Sequence, residues 1–146
     1  MARIETALDP RAPSFLENRS EVLAALSRLD AAHSRALEGG GEREVTRHHA
    51  RGKLLPRERI ELLVDRDTAL LELAATAGQD EGETPGAGLV TALGVVEGTE
   101  CMLVANDPTV RESSLSGIAR RKADRAAELA RLFDLPLISL VEAVEI

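Results

Sequence analysis

The sequence predicts an α/β fold that begins with an amphipathic helix. Three patterns support this prediction: a β-hairpin over residues 89–105, a helix over 115–133 and an apolar strand over 137–141. A strand, a helix and a second strand in this order form a right-handed crossover unit with parallel strands. The other predicted elements precede this unit in the chain.

The first predicted element is a long helix at residues 14–38. Ser14 and Glu17 have the spacing of a capping box. An apolar stripe follows at close to helical spacing: Leu16, Leu23, Leu26, Leu29, His33 and Leu37. Three glycines at 39–41 end the helix, because glycine readily takes a left-handed cap. Residues 1–13 are predicted to be disordered. The stripe is expected to pack on its own domain, and docking on another chain is the alternative.

A basic stretch at residues 47–53 follows this helix. It contains His48 and His49, which are adjacent and therefore cannot share one helix face as a metal pair. No acidic or thiol group stands nearby at metal-ligand spacing, so we expect a solvated loop pair. The sequence predicts no metal site.

A second, shorter helix is predicted from Pro56, which suits a first helical turn. Its apolar side is formed by Leu55, Ile60, Leu63 and Val64. Residues 69–74 predict a short strand or extended segment. Residues 78–88 predict an acidic loop, for which a solvated linker is favoured over a mobile lid.

The second half of the chain has more regular patterns. Residues 89–97 and 101–105 predict two strands of a hairpin that turns at Gly98-Thr99. The nearly continuous apolar strand at 137–141 is typical of parallel sheets that are covered on both faces. The helix between them is expected to bury five side chains: Ile118, Ala126, Leu129, Leu132 and Phe133.

Composition excludes several classes of function. The formal net charge is −7, and the chain has two Phe but no Tyr or Trp, which argues against nucleic-acid binding by phosphate attraction or base stacking. The single Cys101 cannot form an internal disulfide.

No signal peptide or membrane-length apolar run is present, so we predict a soluble, cytoplasmic chain without membrane partners. No Ser/His/Asp set, Walker loop or dinucleotide fingerprint appears.

Two groups of polar residues are candidate binding residues. Asn106, Asp107 and Thr109 follow a predicted strand, where α/β folds often bind ligands, although the same residues are strong turn formers. A group of cations surrounds the start of the last helix: Arg111, Arg120, Arg121, Lys122 and Arg125. Such a group is either a solvated face or an anion contact.

Several segments resemble one protein family. These are ARGKLLPRERI at residues 50–60, LLVD at 62–65, CMLVANDPTV at 101–110, and the Arg121-Lys122 and Leu140-Val141-Glu142 positions. They are similar to the N-terminal part of the carboxyltransferase (β) subunits of biotin-dependent acyl-CoA carboxylases, such as propionyl-CoA and methylcrotonoyl-CoA carboxylases. The resemblance extends from about residue 14 to near residue 142.

The resemblance implies a fold, an activity and partners. The fold would be part of a crotonase-like ββα spiral, with residues 14–146 as the N-terminal half of the acyl-CoA-binding N-domain. Such subunits move a carboxyl group from carboxybiotin, carried by a partner domain, to the α-carbon of an acyl-CoA. Biotin would therefore not bind this chain directly, and the partners would be biotin carboxylase, biotin carrier and other carboxyltransferase subunits. The implied CoA contacts are Arg51, Lys53, Asn106, Asp107, Thr109, Arg121, Lys122 and Arg125.

Two departures from the family pattern affect the expected activity. Glu112-Ser113 stands where the family has Gly-Gly, and residues 143–146 (AVEI) stand where it has Ser-Gly-Gly-Ala. The second glycine turn would supply backbone N–H groups to a thioester oxyanion. We therefore predict no catalytic residues here, and a truncated or diverged subunit that is not active alone. A non-catalytic assembly subunit is the alternative.

Overall fold

The computed structural model describes residue 6 and residues 8–110 and 117–143. Its helices and strands, in chain order, are α1 (Pro13–Leu37), α2 (Glu42–Ala50), α3 (Pro56–Leu63), β1 (Leu71–Leu73), β2 (Leu89–Val96), β3 (Thr99–Asn106), α4 (Gly117–Leu132) and β4 (Leu137–Leu140). The chain divides into two compact units, Met1–Ala31 and Ala32–Ile146. The sheet and the helices that cover it belong to the second unit.

The four strands form one mixed sheet in the order β1-β2-β3-β4. Strands β1, β2 and β3 are antiparallel neighbours, whereas β4 is parallel to β3. The β3–β4 ladder begins with Met102 opposite Leu137 and ends with Ala105 opposite Leu140. The predicted crossover from β3 through α4 to β4 is confirmed. Among the described strands, β3 and β4 are the parallel pair.

Two apolar layers cover the sheet, one on each face. Alternate residues of β3 point to opposite faces, as the two-residue period of a strand requires. On one face Ile60 of α3 packs with Cys101 and Leu103. On the other face Ala126 of α4 packs with Met102. Because Met102 and Leu103 are completely buried, the centre of β3 is the centre of the fold.

The β2–β3 hairpin turns at Glu97-Gly98, one residue earlier than predicted. Both residues have positive φ, 50° and 74°, as a two-residue hairpin turn of the I′ type requires. The Asp65 carboxylate accepts hydrogen bonds from the backbone N–H groups of Glu97 (2.9 Å) and Gly98 (2.7 Å). The segment that follows α3 therefore holds the turn in place.

The predicted buried face of α4 is only partly correct. Its buried side chains are Ile118, Ala119, Lys122, Ala126 and Ala130. Leu132 and Phe133 are 68% and 63% exposed, contrary to the prediction. The helix packs against the sheet mainly through its small alanines. Its buried face is therefore not the face that carries its largest apolar residues. Strand β4 was also predicted to be covered on both faces, but Leu137 is exposed.

The helix α1 begins one residue earlier than predicted, and its leucines are not its buried residues. Pro13 takes the first helical position, which suits proline, so Ser14 lies inside the first turn instead of capping it. The buried side chains are Ala32 and Ala36. The stripe leucines at 16, 23, 26 and 29 are each about half exposed. Of the segment predicted as a disordered N-terminus, residues 1–5 and 7 lie outside the described residues.

Two further expectations for the connecting segments are wrong. His48 lies on α2, a helix that the sequence patterns did not predict, and is buried, whereas a solvated loop pair was expected. In the segment 78–88, a short 3-10 helix occupies Gln79–Glu81, and all residues from 85 to 88 are buried. The second part of this loop is therefore packed structure and not a solvated linker.

Candidate functional site

The carboxyl ends of β3 and β4 lie at the same edge of the sheet, because the two strands are parallel. The Asn106 side chain continues the pairing of β3 with β4 beyond the last backbone pair, Ala105 and Leu140. Its Nδ2 donates to the Glu142 carbonyl oxygen (2.7 Å), and its Oδ1 accepts from the Glu142 N–H (2.7 Å). One amide side chain thus satisfies both backbone groups of the residue that leaves β4.

Arg59 of α3 joins the same two strands from one face of the sheet. Its Nη2 donates to the Asn106 carbonyl oxygen (2.6 Å), and its Nη1 donates to the Leu140 carbonyl oxygen (3.4 Å). A guanidinium group can do this because its donors are fixed in one plane as a fork. The segment of the RGKLLPRERI motif that forms α3 therefore contacts the edge directly.

The Glu142 carboxylate lies among side chains from α2 and the loop that follows α2. Lys53 Nζ is 2.9 Å from Oε1 in an ionic contact that is not aligned as a hydrogen bond. His48 Nε2 is 3.7 Å from Oε2 and 3.2 Å from the Leu54 carbonyl oxygen. We call His48, Lys53, Arg59, Asn106 and Glu142 the exit cluster.

Asp107 and Thr109 form a buried turn directly after β3. Asp107 Oδ1 accepts from the Thr109 N–H (2.9 Å) and from the Thr109 hydroxyl (2.6 Å). The same hydroxyl oxygen accepts from the Gly40 N–H (2.9 Å). A Cβ at Gly40 would overlap the Thr109 carbonyl oxygen. The glycines after α1 therefore allow close approach of this turn, in addition to ending the helix.

The predicted cations of α4 have different environments. Arg121 is exposed and pairs with Glu81 (2.8 Å), and Arg125 is exposed and pairs with Glu128 (2.7 Å). Lys122 was expected to face solvent but is only 6% exposed. Arg51 is exposed at the end of α2, and Arg111 lies outside the described residues. The structure thus does not bring all the predicted cations into one patch.

Lys122 holds the packed part of the loop before β2. Its Nζ donates to the carbonyl oxygens of Leu89 (2.5 Å) and Gly86 (3.3 Å). Burial lowers the pKa of Lys122 to about 8, since desolvation disfavours the charged ammonium. The nearby Glu72 carboxylate raises this pKa and the Arg57 guanidinium lowers it, both to a smaller extent.

A groove of about 900 Å³ lies between α3 and the sheet. Its apolar wall includes Leu54, Ile60, Val64, Leu70 and Val90. None of the predicted site residues lines this groove. The groove and the carboxyl edge are therefore separate features of the same face.

Residues 8–110 and 117–143 contain no group of three His, Cys, Asp or Glu side chains that could hold a metal ion. Over the same ranges no helix is long and apolar enough to cross a membrane.

Three residues of the exit cluster, His48, Arg59 and Glu142, are not among the predicted site residues, nor is Gly40, which contacts the Thr109 turn. Arg59 lies in the RGKLLPRERI motif, but spacing along a helix does not show that its side chain reaches two strands. Gly40 was assigned only to helix termination. One sequence signal does point to Arg59. This residue lies next to the buried Ile60 on a short helix that follows the basic residues Arg51 and Lys53.

The structure defines one part of an α/β domain with a polar edge where two parallel strands end. Residues 47–144 match the family described as the carboxyl transferase domain, and the chain therefore belongs to this family. A relative from Mycobacterium tuberculosis, described as "Probable biotin-dependent acyl-coenzyme A carboxylase beta2 subunit", is 46% identical over 140 residues. That match covers 96% of this chain and 26% of the relative.

Solved structures show the same relationship. The β subunit of geranyl-CoA carboxylase from P. aeruginosa matches with a TM-score of 0.83 and 28% identity, over 96% of this chain and 27% of that chain. The transcarboxylase 12S structure with bound methylmalonyl-coenzyme A matches with a TM-score of 0.70 and 28% identity, over 82% of this chain and 25% of that chain. The prediction of a partial crotonase-like α/β fold is confirmed. The chain spans about a quarter of the length of these proteins.

Proposed function

We propose that this chain is the acyl-CoA-binding N-terminal part of a carboxyltransferase subunit in a biotin-dependent acyl-CoA carboxylase. The observation that carries the proposal is the structural match over nearly the whole chain to a geranyl-CoA carboxylase β subunit. Residues 14–146 are then the N-terminal half of the N-domain. The M. tuberculosis relative is named as biotin-dependent, and we propose that biotin is carried by a partner subunit and not by this chain. A cytoplasmic location is part of the same proposal.

The proposed partners of the chain are based on the assemblies named for similar proteins. The transcarboxylase 12S structure is described as a hexamer assembly with substrate bound to a multienzyme core. We propose that this chain likewise contacts other carboxyltransferase subunits, together with a biotin carboxylase and biotin carrier subunit. The substrate class is an acyl-CoA.

We assign the CoA phosphates to four of the predicted cations that are at least partly exposed. These are Arg51, Lys53, Arg121 and Arg125, of which Arg121 and Arg125 lie on α4. Asn106, Asp107 and Thr109 would shape the adjoining turn. Lys122 is excluded from this revised set, because its ammonium is buried against Leu89 and Gly86. Cations suit phosphate groups by charge-assisted hydrogen bonds.

The cation assignment predicts weaker CoA binding when charge is removed. In the double variant Arg121→Gln/Arg125→Gln, we expect the Kd for CoA to rise about tenfold by calorimetry, from roughly 0.7 kcal/mol for each exposed charge. The matched control is Arg131→Gln, in the last turn of the same helix, which should leave the Kd unchanged. Equal affinities in the wild type and the double variant would exclude the phosphate contact.

We propose that the chain by itself does not transfer a carboxyl group. It spans about a quarter of the relative's length, and residues 143–146 contain no glycine to bring backbone N–H groups close to an oxyanion. Incubation with carboxybiotin and propionyl-CoA should therefore give no carboxylated product above a protein-free control. Methylmalonyl-CoA formation that rises with the concentration of the chain would disprove this.

A non-catalytic assembly subunit is the second candidate. The half-exposed leucines at 16, 23, 26 and 29 favour it, because an apolar helical stripe is a common docking surface for another chain. Co-purification distinguishes the two candidates. Recovery of a longer carboxyltransferase subunit with the wild type, but not with a variant carrying Gln at these four positions, would favour assembly.

A further inference from the structure

Three side chains hold the segment that leaves β4, although the backbone ladder has already ended. The last ladder pair is Ala105 and Leu140. Beyond it, Asn106 bonds both backbone groups of Glu142, and Arg59 bonds the carbonyl oxygens of Asn106 and Leu140. Lys53 adds an ionic contact to the Glu142 side chain.

The chemistry of these contacts is specific to the residue types present. An asparagine side chain carries one donor and one acceptor group, so it can pair with the N–H and C=O of a single residue. Neither aspartate, which only accepts when ionised, nor leucine can do this. Lysine in place of Arg59 would lack the planar fork that reaches two carbonyl oxygens.

Arg59 contacts the Asn106 and Leu140 carbonyl oxygens, although not all of its own N–H donors have an acceptor. Its Nε atom is buried and has no acceptor within the described part of the chain. Such a donor is normally satisfied, because burial removes its bonds to water. The contacts that Arg59 does make across the edge are those to the Asn106 and Leu140 carbonyl oxygens.

We propose that Asn106 and Arg59 form a backbone clamp that holds residues 140–142 in line with β3 beyond the end of the sheet. They would be positioning residues, since they act on the path of the chain and not on a ligand. The edge is where open α/β sheets form their ligand crevice, so the clamp sets the wall of that crevice. Only the identity of the ligand, an acyl-CoA, rests on the proposed function.

Amide hydrogen exchange of the full chain, measured by NMR without ligand, tests the clamp. The readout is the exchange rate of the Glu142 N–H relative to that of Met102, whose N–H donates to Pro136 in the β3–β4 region. In Asn106→Leu we expect this ratio to rise about tenfold, because the Glu142 N–H loses its acceptor. In Asn106→Asp the rise should be smaller, because an acceptor oxygen remains.

Arginine variants of α3 provide a matched comparison. Arg59→Lys should raise the ratio at least about threefold, since one of the two carbonyl contacts is lost. Arg57→Lys is the control, because Arg57 lies on the same helix but pairs with Glu72 and the Ala36 carbonyl oxygen. It should not raise the ratio, because general destabilisation speeds exchange at the buried Met102 N–H at least as much as at the Glu142 N–H.

The outcomes separate the clamp from a general structural role. An unchanged ratio in Asn106→Leu, or equal ratios in Arg59→Lys and Arg57→Lys, would overturn the proposal. If Asn106→Leu does not fold, Asn106→Asp and the two arginine variants decide. A chain that shows clamp-dependent exchange but no CoA binding would refute the proposed function and leave the clamp intact.

Discussion

Replacement of Gly40 with alanine is expected to lower the free energy of unfolding by about 3 kcal/mol or more. Gly40 itself is exposed, but the added Cβ would point at the buried Thr109. Overpacking usually costs about 1–3 kcal/mol, and here the obstacle is a backbone oxygen, which cannot rotate away. The new Cβ would overlap the carbonyl oxygen of Thr109, whose hydroxyl accepts from the Gly40 N–H. Urea unfolding measured by circular dichroism should show a lower midpoint.

A matched substitution separates this overlap from the general effect of losing a glycine. Gly117→Ala is the control, because its Cβ meets nothing within 4 Å in the described part of the chain. It should be neutral or stabilise by up to about 1 kcal/mol, since alanine restricts the unfolded chain and favours helix. If the two variants unfolded at the same urea concentration, the close packing at Gly40 would be disproved.

Lys122 is expected to make the protein more stable as the pH rises from about 8 to about 10.5. Its pKa is about 8 in the folded protein, against 10.5 for an ordinary lysine. Between these values the unfolded chain binds the proton and the folded chain does not, so the free energy of unfolding increases with pH. A difference of this size corresponds to about 3 kcal/mol. A neutral amine still has two N–H donors for Leu89 and Gly86.

The measurement is the difference in unfolding free energy between the wild type and Lys122→Met as a function of pH. The wild type should gain about 3 kcal/mol relative to the variant between pH 7 and pH 11. The chain has one other lysine, Lys53, which is partly exposed, and Lys53→Met should keep most of the wild-type rise. Parallel curves for the wild type and Lys122→Met would show that the buried ammonium does not titrate in this range.

The sequence was sufficient to predict the elements that have strong local patterns. The hairpin, the short helix that starts at Pro56 and the β3-α4-β4 crossover were all predicted, because each has either a fixed period or a proline or glycine at a defined position. The family was predicted from the motif segments, and the match to residues 47–144 confirms it.

The remaining features depend on tertiary packing that no local pattern encodes. The period of α4 did not show that alanines would face the sheet and draw Lys122 inside, while Leu132 and Phe133 stay exposed. Likewise, the contact of Arg59 with two strands depends on how α3 crosses the sheet. A polar residue at a buried position is chosen by its partners in space, and those partners are far away in the sequence.

The short helix α3 has consequences for which insertions and deletions the fold can accept. Arg59 contacts the carboxyl end of β3, and Asp65 holds the hairpin turn at the opposite end of the same strand. The spacing of these two residues is therefore matched to the length of β3. A lengthened or shortened hairpin would need a compensating change between positions 59 and 65, so the two segments should vary in length together.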